Sequence, residues 1–230
     1  MKSGTIPLAA LAALTLTGPA TAAILLNAGF EADAITTNNF INSTPVNWIG
    51  YGNTVGHYVG DGSVFSGISG AQSVDQYFLA YVTGNNYSQI RQDSDLQWSD
   101  TTVGATLTFS AYTNYRDDPT ANGASAYFWL NDTDAADNLG LNSAPINVGD
   151  AAQGTWTLRT WTYTITQSIR DTAIADNWGA VELGLGIIGG GGGDQQVAFD
   201  NVSLVYTPIP EPRAALLGGL GLLALLRRRR

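Results

Sequence analysis

The sequence predicts an all-β chain, a two-sheet antiparallel β-sandwich, on three observations. Between Ile24 and Thr207 apolar and polar residues alternate in short runs, those runs are separated by Gly, Asn, Asp and Pro, and no long stretch keeps the 3.6-residue period of an amphipathic helix. Helices are expected to be minor. With 44% apolar and only 13% charged residues, the chain has enough apolar side chains for a sizeable core, which excludes a disordered tail for most of its length.

In chain order the alternating runs place strands near 24–30, 46–51, 54–59, 76–83, 87–92, 104–113, 124–131, 155–165, 179–188 and 196–206. Roughly ten strands over a span of about 184 residues are too many for one isolated sheet and suit two packed sheets, a jelly roll or a related sandwich. No internal repeat of about 20–50 residues is present, which disfavours a solenoid or propeller. The run Gly189 to Gly193 is expected as a mobile loop between the last two strands. A phosphate cradle would need a Lys and a following helix, and Asp194 comes next instead.

The chemistry the chain can carry is narrowed by what it lacks. It has no cysteine, so a disulfide framework, a thiolate metal site and a Cys nucleophile are excluded, and His57 is its one imidazole. Between residues 24 and 207 four arginines stand against eighteen acids, a balance of −14 with no lysine. Such a body has no basic face with which to neutralise phosphates, which argues against nucleic acid as a partner. His57 lies in a strand-like run where a packed or edge role fits better than general-base work, and no Gly-x-Ser-x-Gly elbow occurs. Glu182 is expected as a solvated strand acid, and no carboxylate pair of a glycosidase can be assigned from spacing. The cluster Asn131 to Asp137 lacks the glycine and final glutamate of an EF-hand loop and reads as an acidic loop.

A ligand face is suggested by alternation. On the run Ala124 to Asn131, burying Ala126, Phe128 and Leu130 turns Tyr127 and Trp129 outward; on Thr106 to Tyr115, burying Leu107 and Phe109 turns Tyr112 and Asn114 outward. Flat rings beside amides suit a sugar, whose C–H face packs on an aromatic while its hydroxyls need donors and acceptors. The competing reading makes these rings core residues or cross-strand pairs.

The two ends read as addresses. Lys2, an apolar run from Leu8 to Leu16, Gly18-Pro19 and Ala20-Thr21-Ala22 have the basic region, apolar region and small-x-small site of a secretory signal peptide, residues 1–23, so the mature chain is expected to begin near Ala23 or Ile24. At the other end Pro210-Glu211-Pro212 precedes an apolar run, Ala214 to Leu226, and then Arg227, Arg228, Arg229 and Arg230. Thirteen helical residues span about 20 Å against a hydrocarbon core of about 30 Å, a marginal transmembrane helix whose arginines would stay cytoplasmic. Residues 208–230 closely resemble the PEP-CTERM sorting signal of Gram-negative bacteria. The resemblance implies an exosortase-type membrane peptidase as partner, cleavage near Pro210-Glu211-Pro212, transient anchoring in the inner membrane and release to the cell surface or extracellular matrix.

Residues 24–207 form the body, and two of its segments resemble the opening and closing strands of carbohydrate-binding jelly rolls: Asn27-Ala28-Gly29-Phe30-Glu31 with Trp48, and Val197 to Leu204 containing Phe199-Asp200-Asn201-Val202. Ser88-Gln89-Ile90 is a step such modules often have. The opening departs from the family's pattern at Ala28, where Gly or Pro is usual. The resemblance implies first and last strands lying together around a structural calcium ion, with Glu31, Asp200 and a backbone carbonyl near Asn27 as ligands. An ion with oxygen ligands would cross-link a cysteine-free domain where millimolar calcium is available. The expected function is glycan or exopolysaccharide binding without catalysis. A polysaccharide hydrolase or lyase is the alternative, and a purely structural matrix protein follows it.

Overall fold

The computed structural model describes residues 20–33, 35, 40–52, 57–61, 76–115, 121–130, 146–189 and 194–209. Among them are thirteen strands, one α-helix and one 3₁₀ turn. The strands are β1 (Thr21–Ala23), β2 (Phe40–Asn42), β3 (Ile49–Gly52), β4 (His57–Asp61), β5 (Gln76–Thr83), β6 (Tyr87–Gln97), β7 (Thr106–Asn114), β8 (Ala121–Gly123), β9 (Ser125–Leu130), β10 (Ile146–Asp150), β11 (Thr157–Thr164), β12 (Ala180–Ile188) and β13 (Asp194–Thr207). They form two sheets. An eight-stranded sheet runs β11-β7-β13-β5-β4-β2, with β1 and β8 also on β13, and a five-stranded sheet runs β10-β9-β12-β6-β3. Every pairing is antiparallel except β8 on β13. From β5 to β7 and again from β12 to β13 the chain passes back and forth between the sheets.

Alternation builds the core. On β7, Leu107, Phe109 and Ala111 point inward; on β9, Ala126, Phe128 and Leu130; on β12, Val181, Leu183, Leu185 and Ile187. The two sheets meet through rings, Phe109 lying 6.5 Å from Phe128 and stacking on Trp161 at 5.4 Å, while Phe30 packs against Trp48 at 5.6 Å and Phe78 at 5.8 Å. Rings at these separations add to the area they remove from water.

The expected strand at 24–30 does not form. Asn27 and Phe30 take left-handed backbone angles, φ 52° and 61°, and the Phe30 amide donates to the Asn27 carbonyl. The alternation there serves a turn that inserts one fully buried ring, Phe30, beneath the sheets. Residues 46–48 are likewise a turn, with Asn47 at φ 69°, so β3 starts at Ile49. The other expected strands match β4 to β7, β9 and β11 to β13 to within a few residues, apart from β6, which runs on to Gln97. Unexpected are the short strands β1, β2, β8 and β10 and helix α1 (Gln167–Ala175). This helix has a side-chain start signal, Thr166 accepting from the Ile169 amide, and ends where Asn177 and Gly179 turn left-handed.

The expected leader through residue 19 and the sorting signal, Pro210 to Arg230, lie outside the described residues, as do the acidic loop at 131–137 and Gly190 to Gly193. The glycine run does join the last two strands, β12 and β13. Residues 21–23, read from sequence as the end of the leader, form β1 on the edge of β13, pairing Thr21 with Tyr206 and Ala23 with Leu204. Among the described residues no helix is long and apolar enough to cross a membrane.

Candidate functional site

The outer face of the five-stranded sheet gathers polar and aromatic side chains on a glycine floor. Register sets two rows across it. Tyr127 on β9 lies opposite Gly186 on β12, which lies opposite Gln89 on β6; one step along, Trp129, Gly184 and Arg91 follow in the same order. The inward neighbours Phe128, Leu185 and Ile90 are core residues, which fixes these six on the opposite face. A Cβ on Gly184 would meet Gln89 Nε2 at 2.9 Å and Trp129 Cβ at 3.1 Å, so the two flanking side chains close over the glycine from either side. The Tyr127 and Trp129 rings lie 6.1 Å apart, tilted by 42°.

Charge enters from β6 and β12. Arg91 Nη1 stands 3.5 Å from Glu182 Oε1, with side chains only 6% and 14% exposed. Glu182 is therefore not the solvated strand acid expected from its place in the sequence; the pairing comes from the register of β12 against β6. The Trp129 indole nitrogen is buried and has no hydrogen-bond partner among the described residues.

The four residues expected to form a sugar platform do not come together. Tyr127 is half-buried, and Trp129, though on the outward side, is 3% exposed, so it is a wall of the site and not an open stacking surface. Tyr112 and Asn114 sit on β7 in the other sheet, across the sandwich core from the first two. Asn114 is completely buried, with both amide atoms lacking a partner among the described residues. Sequence alternation gave each side chain its face but could not say that the two strands belong to different sheets. Gln89 enters the sequence reading only within the Ser88-Gln89-Ile90 step, and Arg91 and the glycine pair do not enter it as site residues; the legible sign is Gly184-x-Gly186 inside an apolar strand, a pattern that marks close backbone approach.

The expected calcium ligands reach one corner of the molecule. Glu31 Oε1 accepts from the Gln76 amide at the head of β5, 3.0 Å away. The pairing of Phe199 with Phe78 sets Asp200 level with Tyr77, one residue from Gln76. The Val202 amide donates to the Ala28 carbonyl at 2.9 Å, tying the first turn to the last strand. The Asn27 carbonyl is already engaged by the Phe30 amide at 3.1 Å and the Trp48 indole at 3.2 Å. Among the described residues no group of three or more His, Cys, Asp or Glu side chains gathers as a metal cluster. A cation at this corner would thus be held by the two carboxylates with backbone oxygens. The His57 side chain lies outside the described set, although the residue opens β4.

No family model matches the chain, and no curated protein matches it. Solved structures do. A Stig cyclase from Fischerella sp. TAU, in complex with (3Z)-3-(1-methyl-2-pyrrolidinylidene)-3H-indole, is 18% identical, with a TM-score of 0.60 over 84% of this chain and 100% of its own. An arabinose-bound α-L-arabinofuranosidase is 14% identical, with a TM-score of 0.50 over 80% of this chain and 26% of its own. A carbohydrate-binding module in complex with β-1,4-galactotriose is 14% identical, with a TM-score of 0.45 over 78% of this chain and 95% of its own. What the chain shares with the cyclase, at 18% identity, is the fold.

Proposed function

We propose that this chain is an exported, non-catalytic β-sandwich that binds glycan, an extracellular polysaccharide in particular, on the outer face of its five-stranded sheet. The observation that carries the reading is the site itself: Tyr127 and Trp129 beside Gln89 and the Arg91–Glu182 pair, over Gly184 and Gly186. Of these side chains Tyr127 and Glu182 are the part-exposed ones, a ring for the C–H face of a sugar and a carboxylate to accept from its hydroxyls, while Trp129, Gln89 and Arg91, 3%, 0% and 5% exposed, hold them in place from within the sheet. One structural neighbour, an α-L-arabinofuranosidase, was solved with arabinose bound, which fits this reading.

On a carbohydrate array that includes the producing cell's own extracellular polysaccharide, the full chain is expected to bind, and Tyr127→Ala to weaken binding about three- to tenfold with an unchanged circular dichroism spectrum. Tyr112→Ala, on the opposite sheet, is the control and should bind as the parent does. No binding anywhere on the array, or a loss confined to Tyr112→Ala, refutes the site. Release of new reducing ends from the bound polysaccharide would turn the reading to the hydrolase alternative.

Export and sorting by an exosortase-type peptidase are part of the same proposal and rest on the two terminal signatures. A structural calcium ion held by Glu31 and Asp200 also belongs to the proposal, and it rests on the resemblance of residues 27–31 and 197–204 to the end strands of carbohydrate-binding jelly rolls. An ion bound only by the folded state at a hundredfold excess over Kd stabilises by about 2.7 kcal/mol, several degrees of melting temperature for a chain of this size. Chelation should remove that gain, and Asp200→Ala should abolish the response to calcium; equal stabilisation by magnesium at the same ionic strength would show bulk screening instead.

A further inference from the structure

Residues on the two sides of the Ala23–Ile24 bond are held in different ways. From Ile24 onward the chain is clamped to β6. The Ile24 amide nitrogen lies 2.6 Å from Asp95 Oδ1, and the Asp95 amide donates back to the Ile24 carbonyl at 3.3 Å. Two residues on, the Gln92 carboxamide takes the Leu26 amide at 2.6 Å and donates to the Leu26 carbonyl at 2.9 Å and the Asn47 carbonyl at 2.6 Å. Among the described residues before Ile24, β1 lies along the edge of β13, with Ala20, Thr21 and Ala22 exposed. The small-x-small rule is met both by Ala20 and Ala22 before the Ala22–Ala23 bond and by Thr21 and Ala23 before the Ala23–Ile24 bond, so the contacts of Ile24 decide between the two.

We propose that the mature chain begins at Ile24 and that its new α-ammonium group docks on the Asp95 carboxylate; the proposal rests on the export reading above. Hydrolysis adds water across the Ala23–Ile24 amide. The hydroxyl goes to the Ala23 carbonyl, which leaves as a carboxylate, and the Ile24 nitrogen takes up protons to become an ammonium. An α-amine titrates near 8 and is charged at neutral pH. The amide that donates to Asp95 thus becomes a cationic donor at the same atom, and a neutral hydrogen bond becomes a charge-assisted one.

The surroundings suit a cation. A cavity of about 230 Å³ beside this point is lined by Thr21, Ala22, Asp95, Leu96, Asp100 and Tyr206. Two of those side chains are carboxylates and none is cationic, while the Tyr206 hydroxyl is engaged with the Thr102 amide and hydroxyl. Cleavage removes Thr21 and Ala22 from the lining and leaves the acids. A cut one residue earlier, after Ala22, would put the ammonium on Ala23, a residue away from the Asp95 bond.

The test uses the full chain expressed with export in a Gram-negative host. N-terminal sequencing and intact mass of the exported protein should give Ile24 as the first residue. At neutral pH its α-amine should react with an acylating reagent several-fold more slowly than in Asp95→Asn, and Asp95→Asn should melt about 1–3 °C lower, the scale of one exposed ion pair. Asp93→Asn, an exposed acid two residues away on β6, should change neither. An exported protein that starts at any other residue, or equal amine reactivity in parent and Asp95→Asn, overturns the docking and leaves export standing. A chain that is neither exported nor cut overturns the export reading, and the docking falls with it.

Discussion

Gly186→Ala is expected to lower the melting temperature by about 10 °C or more, the largest effect of any single methyl group at the candidate site. Its Cβ would lie 2.0 Å from the Ser88 carbonyl oxygen and 2.8 Å from Gln89 Cα, both backbone atoms of β6. A flexible side chain could swing away, but here the neighbouring strand itself would have to move by more than an ångström. β12 and β6 lie inside the five-stranded sheet, with β9 on one side and β3 on the other, so the shift would spread through pairings on both flanks. Overpacking in a well-packed core typically costs about 1–3 kcal/mol and occasionally more, and a backbone clash belongs at the upper end. With about 2–4 °C per kcal/mol for a chain of this size, the drop follows. Gly184→Ala is the informative comparison. Its closest contacts are the Gln89 amide and Trp129 Cβ, the first of which can rotate, so the protein should fold while glycan binding falls. Thermal melts followed by circular dichroism decide the matter; a Gly186→Ala protein melting within about 2 °C of the parent would contradict this geometry.

Asp33→Ala should come next, with a melting temperature about 6–12 °C lower. Asp33 is 6% exposed, and its two oxygens accept from the Val46 amide at 3.2 Å each, with Asn27 Nδ2 at 3.3 Å from Oδ2. Asn27 in turn donates to the Val46 carbonyl and accepts from the Ala32 amide. One carboxylate thus fastens the turn at 27–33 to the segment that leads into β3, and it holds Phe30 beneath the sheets. Removing it leaves the Val46 amide without its acceptor in a largely buried setting and takes one of two acceptors from Asn27 Nδ2, together about 3 kcal/mol for hydrogen bonds to a charged group. Asp33→Asn keeps one acceptor oxygen and should fall between parent and alanine in the same melt.

Much of the body was legible because strand alternation is a local property. β5, β7, β9 and β12 carry their inward residues at every second position, as β13 does on either side of the register shift between Asp200 and Ser203, and that rhythm needs no knowledge of the partner strand. The short strands β2, β8 and β10 were not legible, since segments of three to five residues are made strands by the edge they lie on. The turn at 27–33 imitates a strand in sequence, and only the left-handed angles at Asn27 and Phe30 reveal it. Of the site, Tyr127 and Trp129 could be placed on an outward face, but not Gln89, Arg91 or Glu182. Those three join the rings through pairings between segments about 55 to 97 residues apart in sequence, which no spacing rule encodes.

β13 also fixes when the molecule can fold. The five-stranded sheet has all its strands once the chain has reached Ile188, but in the eight-stranded sheet β5 and β7 do not touch each other except through β13, which also takes β1 and β8. The last fourteen-residue strand is thus the axle of its sheet and the final one to be synthesised. Until it arrives, β5 and β7 present unpaired edges, and loop closures of 80 residues or more await its synthesis. Translation alone therefore holds the larger sheet open to the last, which keeps the polypeptide threadable until its final strand has emerged.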